Sequence, residues 1–236
     1  TDRGLAPMAI TQNALDILEA GGLGRAIFAD VDPNPNEKNL AAGVRAFKDG
    51  GHDGVVAFGG GSGLDLGKCV AFMAGQTRPV WDFEDVGDWW TRASVEGIAP
   101  IVAVPTTAGT GSEVARGAIV IVDDGRKLGF HSWHLMPKAA ICDPNLTIGL
   151  PPLLTAATGM DAIAHCLEIF MAPAVNPPAD GIGLDGLERG WTHIERATRQ
   201  GGDREARWQM MSASMQGAMA FQKGLGCVHS LSHSLG

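Results

Sequence analysis

Two short segments of the sequence carry pairs of metal-binding side chains at helical spacing. Asp161 and His165 form one pair, and His229 and His233 form the other. Because residues four apart lie on the same face of an α-helix, each pair presents both side chains on one side. One carboxylate and up to three imidazoles suit a first-row divalent ion such as Fe²⁺ or Zn²⁺. The spacing therefore predicts a metal site between two helices.

Each pair taken alone has a simpler explanation. A solvated helix face would carry such residues, and an aspartate near a helix start is favoured by the helix dipole. However, the first pair is surrounded by apolar residues such as Met160, Ile163 and Leu167, and the second lies in a similarly apolar segment. Polar groups inside an apolar helix are buried and need partners. The presence of two such pairs favours the metal interpretation.

A glycine-rich turn at residues 59–62 follows an apolar run at 54–58 and precedes a predicted helix at 64–75. Its backbone N–H groups can approach a phosphate closely at the positive end of that helix. The spacing is neither that of a P-loop nor the GxGxxG of a Rossmann fold. The other interpretation of these glycines is a tight turn in an α/β unit.

A second loop rich in glycine and hydroxyl groups, residues 105–113, follows the next predicted strand. In open α/β sheets, ligands bind outside the carboxyl ends of the strands. Two such loops at neighbouring strand ends favour a nucleotide site over a purely structural role for the glycines. Ser112 has the alternative role of capping the segment that follows it.

The order of apolar and periodic segments predicts the fold class. Short apolar runs alternate with helical patterns in the first part of the chain, which favours an α/β domain with a mostly parallel sheet. Beyond Leu150 only helical patterns remain, at residues 153–171, 181–197 and 205–225. We therefore predict a dinucleotide-binding α/β domain at 1–148 and an all-α, metal-binding domain at 149–236. The predicted strands are residues 25–29, 54–58, 98–104, 118–122 and 139–142.

Composition excludes some classes of partner. The chain has 236 residues, a formal net charge of −8 and no long basic run, so we expect no nucleic-acid partner. No run of about 18 apolar residues occurs, so we expect no membrane contact. The four cysteines are scattered without a CxxC pair, which is typical of reduced thiols in a cytoplasmic protein.

Four motifs along the chain resemble those of the iron-containing (group III) alcohol dehydrogenases. They are Gly59-Gly-Gly-Ser-x-x-Asp65-x-x-Lys68, Pro105-Thr-Thr-x-Gly-Thr-x-x-Glu113, Asp161-x-x-x-His165 and His229-x-x-x-His233-x-Leu-Gly. Dehydroquinate synthase and glycerol dehydrogenase are more distant relatives that fit the last motif less well. The resemblance implies an N-terminal dinucleotide-binding domain, a C-terminal helical domain, and a metal in the cleft.

The resemblance also implies roles for individual residues. Asp161, His165 and His229 would be metal ligands, and His233 would be the catalytic proton relay. Asp2 would contact the adenosine ribose, which favours NAD over NADP. Gly60, Gly61 and Ser62 would hold the pyrophosphate, and the cofactor site would be completed by Asn34, Thr106, Thr107, Lys127 and Leu146. Phe221, one or two turns before His229, would line an apolar substrate pocket or belong to the core.

The implied reaction is hydride transfer between a small alcohol or aldehyde and NAD, with the alcohol or alkoxide held on Fe²⁺ or Zn²⁺. A cytoplasmic homodimer is expected. Two alternatives stay open: a metal-free reductase of the same superfamily, similar to maleylacetate reductases, and a non-catalytic nucleotide-binding fragment. The family has a strand before the Thr1-Asp2 motif and a further ligand histidine after His233. The resemblance therefore implies that this chain is incomplete at both ends.

Overall fold

The computed structural model describes residues 1–235, and for Ser234 it describes the backbone alone. Helices and strands alternate in the first half, and helices alone follow from residue 152. This order confirms the predicted fold class of an α/β region followed by an all-helical region. The elements are α1 (Ala9–Ala20), α2 (Glu37–Asp49), β1 (Val55–Gly59), α3 (Gly61–Met73), β2 (Ile101–Pro105), β3 (Gly117–Ile121), β4 (Lys127–His131), β5 (Ala139–Ala140), α4 (Pro152–Met171), α5 (Pro177–Arg199), α6 (Arg204–Ala220) and α7 (Cys227–Leu235).

The chain forms two compact units. The first consists of Thr1–Val104 and Arg116–Ile141, and the second consists of Pro105–Ala115 and the chain from Cys142 onward. This division differs from a single cut after residue 148, because the loop after β2 packs with the helices. A Cβ atom on Gly109 in that loop would lie 2.8 Å from the carbonyl oxygen of Thr158 on α4. The absence of a side chain at this position therefore allows the loop to contact α4.

The first unit contains a three-stranded sheet in the order β1-β2-β5. Strands β2 and β5 run parallel, with Val102 opposite Ala139. Apolar residues of the strands, such as Ala57 and Ile101, pack with Leu64 and Ala71 of α3. Because α3 begins directly after β1, this packing fixes the position of the glycine-rich turn that joins them.

A separate antiparallel hairpin, β3–β4, lies outside this sheet. The strand predicted at residues 118–122 corresponds to β3, but its partner β4 was not predicted. Side chains of α3 attach the hairpin: Asp65 Oδ2 accepts a hydrogen bond of 3.0 Å from Ile119 N, and Lys68 Nζ donates to the carbonyl of Gly117. The Asp65-x-x-Lys68 motif therefore has a structural role here, since one helical turn contacts two positions of β3.

The strand predicted at residues 25–29 is wrong, because no strand is present there. An apolar run becomes a strand only when a neighbouring backbone completes its hydrogen bonds. Here a cavity of about 430 Å³ is lined both by the run and by β1, with Ile27, Phe28, Val55 and Phe58 among its lining residues. Among the described residues, no strand lies beside this segment.

The second unit is built on α4, α5 and α6, which pack against one another. Small residues allow the close approach: a Cβ on Gly186 of α5 would lie 2.8 Å from Cys166 Sγ, and a Cβ on Gly217 of α6 would lie 2.9 Å from His165 Cβ. The helix predicted to reach residue 225 ends earlier, at Ala220, and is followed by one 3-10 turn. Gly224, with φ of 132°, then redirects the chain toward α7.

Helix α4 is long and apolar enough, by length and composition, to cross a membrane, and it is the one such helix in the part of the chain that the structure describes. The same properties are found in core helices. In α4, 44% of the most apolar 18-residue window is buried, and the helix packs against α5 and α6.

Candidate metal centre

Helices α4 and α7 bring Asp161, His165 and His229 together. The two α4 residues lie one turn apart in mid-helix, and His229 lies in the first turn of α7. One potential ligand atom from each of the three side chains lies within 4.8 Å of the other two. His165 and His229 are buried, whereas Asp161 is half-buried. His229 thus forms one cluster with two residues that precede it by more than sixty positions in the sequence.

The rings within the cluster are closely packed. The His165 and His229 rings stack with their centroids 4.3 Å apart and their planes at 21°. Asp161 Oδ1 lies 3.4 Å from His229 Nε2. The Phe221 ring packs next to that of His165, with the ring centroids 5.5 Å apart and the planes at 48°. This apolar contact limits how the His165 ring can turn.

Glu168 is a member of the site that the sequence analysis did not identify. Its carboxylate is buried, with Oε2 2.5 Å from His229 Nδ1 and Oε1 accepting a 2.6 Å hydrogen bond from Val228 N. The spacing of Glu168 in the sequence does indicate that it lies near the other two α4 residues. Asp161, His165 and Glu168 stand at intervals of four and three residues, which places all three on one face of α4.

The charges of the cluster depend on one another. Burial is the largest single effect on the pKa of Asp161 and of Glu168 and raises both. The hydrogen bond with His229 and the charges of nearby imidazoles, joined for Glu168 by the backbone N–H groups of Gly226 and Val228, together outweigh it, so both carboxyl pKa values lie below their usual range. The hydrogen bond with Asp161 raises the pKa of His229 above the usual value, against the effect of burial. Burial lowers the pKa of His165. The carboxylates are therefore ionised, and the two imidazoles differ in their affinity for protons.

The cluster fits a divalent metal ion on chemical grounds. Among the described residues, His165 Nδ1 is buried without a hydrogen-bond partner, which is costly for a polar atom. Two imidazoles and a carboxylate are ligands that Fe²⁺ and Zn²⁺ both accept. A cation here would also balance the negative charge of two buried or half-buried carboxylates.

His233 lies beside the cluster and is not one of its three members. Its ring meets that of His229 edge to face, with the centroids 5.8 Å apart, and its side chain is exposed. The one-turn spacing from His229 places it on the same side of α7. An exposed imidazole next to a buried one is a suitable group for exchanging protons with solvent.

The residues predicted to hold the pyrophosphate lie at the start of α3 in the first unit. Gly60 is the N-cap residue of this helix, which has no side-chain capping hydrogen bond. Asn34, with φ of 56°, donates from its backbone N to Ser62 Oγ at 3.3 Å. Glycines at an uncapped helix start leave N–H groups that a phosphate can approach, so the turn fits a dinucleotide.

Asp2 is also close to this turn. Its Oδ1 accepts hydrogen bonds from the backbone N of Gly4 (2.8 Å) and of Leu5 (2.9 Å), which fixes the side chain in a tight turn. A Cβ on Gly59 would lie 3.5 Å from the Leu5 side chain. The structure thus brings the Asp2 turn beside the glycine-rich turn.

The four other predicted cofactor residues are divided between the two units. In the first unit, Lys127 opens β4 opposite Ile121, whose N–H donates to the carbonyl of Pro35 beside Asn34. In the second unit, Thr106 is buried directly after β2, Thr107 is half-buried, and Leu146 lies in the 3-10 turn Pro144–Thr147.

Comparison with known proteins places the chain among related sequences. The family model described as "Iron-containing alcohol dehydrogenase" matches residues 1–144. The model described as "Fe-containing alcohol dehydrogenase family, C-terminal" matches residues 155–236. The two matches follow one another along almost the whole chain.

Individual relatives agree with these matches. The chain is 60% identical to 4-hydroxybutyrate dehydrogenase of Cupriavidus necator and 37% identical to 1,3-propanediol dehydrogenase of Klebsiella pneumoniae. Each comparison covers 100% of this chain and 61% of the relative. The crystal structure of a 1,3-propanediol oxidoreductase superposes with a TM-score of 0.93 at 34% identity, again over 100% of this chain and 61% of the other. The chain therefore spans about three fifths of the length of these relatives.

Proposed function

Because the chain belongs to the iron-containing alcohol dehydrogenase family, we propose that the protein transfers a hydride between an alcohol and NAD with the help of a divalent metal ion. The observation that carries this proposal is the convergence of Asp161, His165 and His229 within 4.8 Å. A bound cation would also provide a partner for His165 Nδ1, which is buried without a hydrogen-bond partner among the described residues.

In this proposal, each residue of the cluster has a defined role. Asp161, His165 and His229 would hold Fe²⁺ or Zn²⁺, which supplies Lewis acidity toward an alcohol oxygen when bound. His233, exposed beside His229, would exchange the proton of the alcohol with solvent. Phe221, packed against His165, would exclude water from one side of the reacting carbon.

The nucleotide would lie on the glycine-rich turn. Backbone N–H groups of Gly60 and Gly61, together with Ser62 and Asn34, would hold the pyrophosphate at the start of α3. Asp2, fixed by its own turn, would accept from the ribose hydroxyls and repel the 2′-phosphate of NADP. The remaining contacts would come from Thr106, Thr107, Lys127 and Leu146.

We propose a small primary alcohol, or the matching aldehyde, as the substrate. The relative at 60% identity is named for 4-hydroxybutyrate, and one at 37% is named for 1,3-propanediol. Both compounds carry a primary hydroxyl and differ at the far end. The identity values favour 4-hydroxybutyrate as the first compound to test, and a panel of primary alcohols and diols would define the specificity.

A cytoplasmic location and a homodimeric state complete the proposal. All four cysteines are free, as expected in a reducing compartment. Light scattering of the purified protein would give its mass in solution and so decide the oligomeric state.

The experiment that tests the function measures NADH formation before and after metal removal. The purified protein would be assayed with 4-hydroxybutyrate and 1,3-propanediol, stripped with a chelator, and reloaded with Fe²⁺ or Zn²⁺. We expect activity to disappear with the metal and to return on reloading. An unchanged rate after stripping would indicate a metal-free reductase instead. NAD binding without any NADH formation would indicate a nucleotide-binding protein that has no dehydrogenase activity.

A further inference from the structure

Glu168 makes two contacts with the start of α7. Its Oε1 accepts from Val228 N at 2.6 Å, and its Oε2 lies 2.5 Å from His229 Nδ1. The side chain is almost fully buried, at 5% exposure. Gly226 leaves the required space, because a Cβ there would lie 2.9 Å from Glu168 Oε1. A buried carboxylate with both oxygens engaged holds its partners in one defined geometry.

The contact with Nδ1 determines what the other ring nitrogen can do. An ionised carboxylate only accepts hydrogen bonds, so His229 Nδ1 must carry the proton. In the neutral ring, the proton stays on Nδ1 because the contact with Glu168 is the shorter of the two, and Nε2 then has a lone pair that faces Asp161 Oδ1 at 3.4 Å. Only the doubly protonated ring donates from Nε2 to Asp161 as well. The opposite tautomer would place a proton on Nε2 and block metal coordination by that atom.

We propose that Glu168 is a positioning residue that fixes the tautomer and ring orientation of His229, so that Nε2 is its metal-binding atom. This inference rests on the proposed function in one respect, the presence of a metal at the cluster. Glu168 does not belong to the three-residue cluster itself. It acts through His229, as outer carboxylates do when they orient a ligand histidine.

The contact with Val228 offers a competing explanation, in which Glu168 only stabilises the start of α7. Glu168→Gln separates the two roles. The glutamine oxygen can still accept from Val228 N, but its amide group would donate toward His229 Nδ1 and favour the opposite tautomer. Glu168→Asp keeps the charge but withdraws the carboxylate by one methylene. Glu188→Gln, at an exposed position on α5, is the matched control for the loss of charge.

The experiment has two readouts. Nitrogen-15 NMR of the histidine-labelled, metal-free protein at alkaline pH reports which nitrogen of each neutral imidazole carries the proton. His229→Ala identifies the signal among those of the seven histidines. A Co²⁺ titration followed by visible absorption reports metal affinity without any assay of activity. Circular dichroism confirms that each variant is folded.

We expect Nδ1–H on His229 in the wild type and in Glu188→Gln. Glu168→Gln should lose this tautomer preference and bind Co²⁺ about 10 to 100-fold more weakly. Glu168→Asp should show an intermediate loss of tautomer preference and of Co²⁺ affinity. If Glu168→Gln does not fold, the result for Glu168→Asp tests the proposal instead. Wild-type tautomer and wild-type Co²⁺ affinity in a folded Glu168 variant would overturn the inference. A wild type that binds no Co²⁺ would instead contradict the proposed function, while the NMR spectra would still decide the orientation.

Discussion

At the scale of single residues, the two imidazoles of the cluster differ in their affinity for protons. Burial lowers the pKa of His165, so this ring is neutral near pH 7. The hydrogen bond with Asp161 raises the pKa of His229, so this ring holds a proton to higher pH than usual. Because a metal ligand must be deprotonated, a proton on His229 would compete with a metal bound at the proposed site.

This difference predicts a pH dependence of metal affinity. Below the pKa of His229, a metal must displace one proton, so its affinity should increase by about tenfold per pH unit as the pH rises. Above that pKa the affinity should level off. Competition titration against a chelator of known affinity, over a pH range that brackets the pKa of His229, measures the slope. An affinity that stays independent of pH over the whole range would contradict the role of His229 as a ligand that must lose a proton.

Asp2 should control the choice between NAD and NADP. Asp2→Asn removes the charge but keeps an oxygen that can accept from Gly4 N and Leu5 N, so the turn should persist. We expect this variant to bind NADP more tightly, by about tenfold, since one repulsive charge is lost. Asp2→Ala should weaken both cofactors because the turn is lost as well. Fluorescence titration of each cofactor checks this, and unchanged preference in Asp2→Asn would contradict the assignment.

Among the structural elements, the loop after β2 packs closely against α6, and this packing depends on Gly111. This residue has φ of 62°, and a Cβ there would lie 2.2 Å from Ala218 Cβ and 2.7 Å from the carbonyl oxygen of Ser214 on α6. Gly111→Ala should therefore add overpacking of about 1–3 kcal/mol to the cost of the left-handed backbone.

Gly125→Ala is the matched control for this substitution. Gly125 also has a positive φ, 87°, but nothing lies within 4 Å of a Cβ at that position. Thermal unfolding of the two variants isolates the packing contribution, and Gly111→Ala should unfold at the lower temperature. Equal unfolding temperatures would mean that the loop moves away from α6 without cost.

The helices were predictable from sequence because apolar residues recur at helical spacing, and the observed bounds of α3 and α4 agree with the predicted ones within a few residues. Strands were less predictable, since a strand depends on a neighbour that the sequence does not reveal. The run at residues 25–29 has the composition of a strand and lacks a partner, whereas β4 has a partner and a less regular composition. Glu168 was missed for a related reason, because its partners lie sixty residues away on α7.

At the scale of the whole molecule, the proposed reaction uses both units. The glycine-rich turn and Asp2 belong to the first unit, and the cluster of Asp161, His165 and His229 belongs to the second. In the proposed function, the first set would hold the nucleotide and the second set would hold the metal. The i,i+4 spacing predicted that Asp161 and His165 share one face of α4, because a single helix fixes two such side chains, and the structure places His229 beside them.

Whether Asp161, His165 and His229 bind a metal is decided by the metal content of three purified proteins: the wild type, His229→Ala and His233→Ala. Elemental analysis should find about one equivalent of iron or zinc per chain in the wild type and in His233→Ala, and almost none in His229→Ala. His233→Ala should keep its metal because its exposed ring lies outside the three-residue cluster, while its turnover should fall roughly 100-fold if it relays the proton. A wild type without metal, or a His229→Ala variant that keeps a full equivalent, would contradict the account.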